Sequence, residues 1–145
     1  PMVFVISQVF DNLINFLIAF FILLVPMLFF FDISLLGLSF LGPALLLMFS
    51  GSLAMCLLVA TVQVFYKDVK FVIQFITGVI FFLTPIFYPI EFVPEHLRVL
   101  VDYNIFYILI KPINICIYQF DAVQFQEAMI KSLGANIAIY FIQYK

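Results

Sequence analysis

The sequence predicts an all-α, polytopic integral membrane protein with about four transmembrane helices in its 145 residues. The chain is 67% hydrophobic and 10% charged. Soluble domains carry about 25% charged residues, so this chain has too little polar surface to coat a globule. Its apolar residues also fall in runs close to the roughly 20 that a span requires. Proline and glycine punctuate those runs near their ends. A net charge of −2 with no basic cluster excludes phosphate-backbone recognition, and so a nucleic-acid partner.

The first predicted span covers residues 13–31, between Asp11 and Asp32. Pro26 inside it reads as a mild kink, which membrane helices tolerate. Residues 33–66 then carry no charge at all. One helix over that stretch would reach roughly 50 Å, well beyond a hydrocarbon core of about 30 Å. Gly37 and the Gly42–Pro43 pair supply the punctuation, because proline is favoured at the first helical position. The expectation is therefore an interfacial turn or short helix over 33–42 and a second span over 43–65. A third span is expected over 71–89, ending in "TPIFYPIEFVP". Residues 90–127 form a broken segment outside the membrane, with short helices at about 95–102 and 105–118. Lys111–Pro112 makes the second of these too broken to span. The run 128–144 opens a fourth span. The chain starts at Pro1 without a basic leader, so the first run is not a signal peptide. Its last run stops early, and the whole reads as a piece of a longer protein forming one transmembrane domain.

Orientation follows from the short connection "KDVK", residues 67–70, which holds two of the six basic residues. The positive-inside rule puts it in the cytoplasm and puts 90–127 outside.

The spans themselves carry no Asp, Glu, Lys, Arg or His over 12–31, 33–66 and 71–90. Ion-coupled carriers usually need an intramembrane ionisable group. The single histidine, His96, has no partners at ligand spacing and reads as a surface residue. No catalytic set and no metal site emerge. Cys56 and Cys116 lie far apart with no ligand spacing and read as apolar fillers. No phosphate-cradling GxxxxGK[ST] loop is present, so this chain is not expected to hydrolyse ATP itself. Among the polar residues within spans, Gln63, Gln74, Thr77 and Thr84 are the informative ones. Gln74, Thr77 and Thr84 recur on one helix face, which points to another helix or to a wet path.

The prolines have a local reading. Pro85 removes a backbone donor and frees a carbonyl one turn earlier, and the Thr84 hydroxyl is one group able to compensate. Pro89 then stops the helix. Pro94 starts the next, at its first helical position, with Glu95 in the first turn. At the other end, Tyr66, Lys67 and Asp68 close the second span, where a Tyr–Lys pair also suits a simple interfacial anchor.

These residues carry a resemblance. Lys67–Asp68, then Thr84–Pro85–Ile86–Phe87–Tyr88–Pro89, then Val93–Pro94–Glu95, then Asn104 follow one another at the intervals seen in permease subunits of type-2 ABC exporters. The match is to the group that exports O-antigen, capsular polysaccharide or teichoic acid. Residues 1–16 also look like the entry to the third of that family's six spans. Ile105 stands where the family has a proline, and Asn114 where it has an arginine. The resemblance implies a permease of the bacterial plasma membrane, itself not an enzyme, acting as a homodimer. A separate ATPase subunit would bind ATP and Mg, and a lipid-linked polysaccharide would be the substrate. It also implies that the short outer helices are re-entrant and close the exit. The exit-gate candidates are then Thr84, Pro85, Tyr88, Pro89 and Pro94. The path-facing polar candidates are Gln74 and Thr77, and the cytoplasmic-loop candidates are Tyr66, Lys67 and Asp68. Two other readings stay open at this point: a drug or small-lipid exporter of the same family, and a membrane-embedded transferase acting on lipid-linked sugars.

Overall fold

The computed structural model describes residues 2–30, 33–66, 68–84, 92–118 and 120–144. Among them are six helices and no strand: α1 (Met2–Phe30), α2 (Leu35–Phe65), α3 (Val69–Leu83), α4 (Glu95–Asp102), α5 (Ile105–Ile117) and α6 (Ala122–Tyr144). A helix satisfies all its interior backbone groups within one segment, which is the condition hydrocarbon imposes on a spanning chain.

Two helices are long and apolar enough to cross a membrane, α1 and α2, and the bent pair α4–α5 is a third candidate if it counts as one broken span. Four spans are therefore not what the described helices supply. α3 is apolar but has 15 residues, roughly 22 Å of helix. The predicted third span ran to residue 89, and 85–91 lie outside the described residues. α6 has 23 residues but is not apolar enough to stand with α1 and α2.

Several predicted boundaries are corrected. α1 starts at Met2 and not near residue 13, because Asp11 and Asn12 are carried on its exposed surface without breaking it. The turn expected over 33–42 is absent. Ser34 caps α2, its hydroxyl accepting from the Gly37 N–H at 3.5 Å, and the helix runs unbroken through Pro43. Packing explains the continuity: Gly37, Leu41, Ala44, Gly51 and Ala54 are the buried residues of α2, and only an unbroken helix aligns them as one stripe. A helix of 31 residues reaches about 46 Å, so it tilts or extends past the core. Lys111–Pro112 does not interrupt α5 either, where Pro112 is buried inside the helix. The polar stretch 121–127 was expected to precede the last helix. It forms its first turns instead: Asp121 Oδ1 accepts from the Val123 N–H at 2.9 Å and caps α6.

The packed centre lies where α2, α5 and α6 meet, with one contribution from α1. Leu24, Leu41, Ala44, Ile113, Cys116 and Phe125 form its buried cluster. Phe40 stacks on Phe120 at 5.3 Å between ring centres, and Phe125 packs against both. Close approach depends on two glycines. A Cβ on Gly37 would collide with the backbone carbonyl of Cys116, and one on Gly51 with the side chain of Leu109. Outside this centre little is covered. Among the described residues Leu24 is the buried one of α1 and α3 has none, so both present apolar surface outward, as helices facing lipid do.

Candidate functional site

The end of α3 and the start of α5 are joined by a polar clasp. Thr84 is 1% exposed, and its hydroxyl donates to the Ile80 carbonyl at 2.7 Å. The Thr84 N–H is shared between the Ile80 and Phe81 carbonyls. Asn104, twenty residues on, donates from Nδ2 to Thr84 Oγ1 at 2.8 Å, with Ile80 O 3.5 Å away. The same Asn104 side chain accepts from the Phe106 N–H at 3.0 Å and so caps α5. One amide thus closes two helix ends: its nitrogen on the last turn of α3, its oxygen on the first turn of α5. The hydroxyl therefore does not serve the carbonyl four residues before Pro85, that of Phe81; the Thr84 N–H reaches that one, at 3.2 Å. The second partner, Asn104, was visible in the sequence only as a motif position.

Between these ends the chain bends by 89° from α4 to α5. Pro94 occupies the N-cap of α4, one residue before the position expected for it, with Glu95 in the first turn. The Arg98 Nε donates to the Val93 carbonyl at 3.2 Å and ties that turn down. Val101 is 2% exposed and is the residue by which amphipathic α4 docks. Pro85, Tyr88 and Pro89 lie outside the described residues.

The other candidates are dispersed. Tyr66 and Asp68 are exposed and flank the turn from α2 to α3, where the Val69 N–H donates to the Tyr66 carbonyl at 3.2 Å. Lys67 between them lies outside the described residues. Gln74 and Thr77 are both exposed, yet they part ways: Thr77 lines a cavity and Gln74 does not. His96 is exposed on α4. Among the described residues no group of His, Cys, Asp or Glu is placed to hold a metal ion.

That cavity, about 640 Å3, lies between the first half of α1, the second half of α2, and α3, with Phe106 and Leu109 of α5 also lining it. A smaller hollow of about 250 Å3 continues it along the seam of α1 and α2. Cys56 lines both. It is exposed, unlike Cys116, which is fully buried in the core as a filler should be.

A second polar feature was not anticipated. Asn136, Tyr140 and Gln143 of α6 all donate to backbone carbonyls of α2: Asn136 Nδ2 to Leu47 at 3.3 Å, Tyr140 Oη to Ser50 at 3.2 Å, and Gln143 Nε2 to Ala54. Asn136 also donates to Ser132 O at 3.0 Å. Their spacing on α6 follows the i, i+4, i+7 rule for one helix face, and that is the signal by which the sequence could have shown them. At the start of α6 an exposed Glu127–Lys131 pair at 2.7 Å holds the Glu127 carboxyl below the usual carboxylate range, through its hydrogen bond and the ammonium charge.

Compared with known proteins, the chain matches no family model, no curated protein and no solved structure.

Proposed function

We propose that the chain is the membrane-embedded permease part of an ATP-driven exporter, moving a lipid-linked polysaccharide outward across a bacterial plasma membrane. The observation that carries the reading is the ordered set Lys67–Asp68, Thr84–Pro85, Tyr88–Pro89, Val93–Pro94–Glu95 and Asn104. The Thr84–Asn104 hydrogen bond supports it, because two members of that set touch across the broken-helix segment. α2 carries no Asp, Glu, Lys, Arg or His, and α1 carries only Asp11, in its first half, which suits an exporter that draws its energy from a partner and not from ions.

In this mechanism two copies form the path at a two-fold interface, and ATPase subunits dock against the cytoplasmic turn at Tyr66–Asp68. ATP-driven closure of the ATPase pair tilts the spans. The clasp between α3 and α5 transmits the tilt to the short helices α4 and α5, which part and release the polymer. The charged groups of ATP and Mg are held by the partner, and this chain supplies the conduit.

The test is the full-length gene with Pro85 and Pro89 changed together to Ala, expressed with its ATPase partner. Straightening the helix impairs export while basal ATP hydrolysis by the assembled complex persists. Unimpaired export at normal expression would show that these prolines merely end a helix.

A further inference from the structure

We propose that the face of α6 carrying Gln124, Glu127, Lys131 and Gly134, with the α4–α5 elbow beside it, lines a water-filled cleft that reaches hydrocarbon depth. The cleft opens on the side where α2 begins. The inference rests on α1 and α2 crossing a membrane and not on the exporter reading.

Depth comes first. Leu24, Leu41, Ala44, Ile113, Cys116 and Phe125 form one buried cluster, and Met129 packs against it. Leu24 lies inside the apolar run 13–31 of α1, where Ile22, Leu23, Phe29 and Phe30 are all exposed. Such a stretch belongs in hydrocarbon, and so the cluster does too. Ala44 stands roughly 13 Å along α2 from Leu35, close to the middle of a core about 30 Å thick. Met129 falls between Glu127 and Lys131 in the chain, and Ile113 is two residues from Lys111. These three charged groups are therefore held at the level of the cluster, away from the helix ends where lysines snorkel.

Patterning comes second. α6 divides into three faces at helical spacing. Phe125, Ala128, Ser132, Asn136 and Ile139 are buried. Ile130, Leu133, Ile137 and Phe141 are apolar and between 50% and 66% exposed, as a lipid-facing stripe is. Gln124, Glu127, Lys131 and Gly134 make the third face, also exposed. The Glu127 and Lys131 side chains are 64% and 59% exposed, although they pair with each other. Ionisable groups at membrane depth face protein or water, not lipid. The described residues leave most of both side chains uncovered, and their mutual pairing leaves no charge for a partner chain to match. Water is the neighbour that remains.

The elbow extends the same face. Lys111 Nζ sits 5.3 Å from the centre of the Tyr107 ring. Lys111 acts electrostatically on Glu127, and Asp102 acts on both Lys131 and Tyr107. One polar wall thus runs from the end of α4 across α5 to α6. It also explains why α6 falls short of the apolarity of α1 and α2. Beyond Gly134 the face continues as Ala138 and Ile142, and there the cleft ends.

Leu133 and Gly134 are neighbours at one depth on different faces, which makes them the test pair. Each is changed to cysteine in the full-length protein lacking Cys56 and treated in sealed vesicles with a charged, membrane-impermeant methanethiosulfonate. Gly134→Cys should react several-fold faster than Leu133→Cys, and from the face opposite to the one that labels Asp68→Cys. A Cβ at Gly134 meets nothing within 4 Å, and an unmodified Cys116 reports a folded core in each variant. Lys131→Cys against Ile130→Cys repeats the comparison one turn earlier, and decides the matter if either first variant exposes Cys116. Equally slow reaction of the two cysteines would overturn the proposal, because the polar face would then be dry. Equally fast reaction would also overturn it, by placing α6 outside hydrocarbon. So would efficient dimer formation through Gly134→Cys by a short bifunctional methanethiosulfonate, which would put a second copy on that face.

Discussion

At the scale of single residues, Asn104 does two jobs that substitution can separate. Asn104→Ala removes the donor to Thr84 and the cap on Phe106 together. A lost cap costs about 0.5–2 kcal/mol, and a lost net hydrogen bond about 0.5–1.5 kcal/mol. Unfolding in mixed micelles should therefore show a loss of about 1–3 kcal/mol. Asn104→Asp keeps the accepting oxygen and loses only the donor, so it should cost less, with the α5 cap retained. No loss for Asn104→Asp would mean that the contact with Thr84 contributes nothing, and equal losses for both variants that the cap does not. Thr84 stood out in the sequence as the hydroxyl beside Pro85, but its partner is the Ile80 carbonyl and not that of Phe81, four residues before the proline. Asn104 was not readable as a partner of Thr84, since nothing local in the sequence says that residues twenty positions apart converge.

At the scale of elements, α2 organises the molecule, and its glycines differ in what they face. Gly37→Ala drives a methyl into the rigid backbone carbonyl of Cys116, whereas Gly51→Ala meets the movable tip of Leu109. Gly42→Ala meets nothing within 4 Å. Overpacking costs about 1–3 kcal/mol, so the three variants should rank Gly37, Gly51, Gly42 from most to least destabilising in the same micelle assay. An inverted order would contradict the described packing of α2 on α5. The positions of α4 and α5 were legible because prolines and short amphipathic periodicity mark them. The uninterrupted course of α2 was not: Gly42–Pro43 has the local chemistry of a helix start, and the tertiary requirement that Gly37, Ala44 and Gly51 share one stripe overrides it. The first turns of α6 were missed for a related reason. Polarity in "DAVQFQEAMIK" looked like a loop, whereas Asp121 is a cap and Phe125 and Ala128 are buried on one face. Asn136, Tyr140 and Gln143 share one face of α6, but which helix that face meets is set by the packing on α2 and not by local sequence.

At the scale of the whole molecule, the account places the α2–α3 turn and the broken-helix segment on opposite sides of a membrane. Single cysteines at Asp68 and Glu95, both exposed, in a background lacking Cys56 should label from opposite faces with an impermeant maleimide. Labelling from one face would overturn the topology. The exporter reading makes a stronger demand, because it says where an undelivered substrate must accumulate. The direct measurement is the location of lipid-linked polysaccharide after deletion of the gene in its native host, by surface antibody or sugar analysis of intact cells against lysed ones. The account predicts that polymer disappears from the surface, accumulates on its lipid carrier at the cytoplasmic face, and returns to the surface with the wild-type gene. Surface polymer unchanged by the deletion, with no internal accumulation, would contradict it.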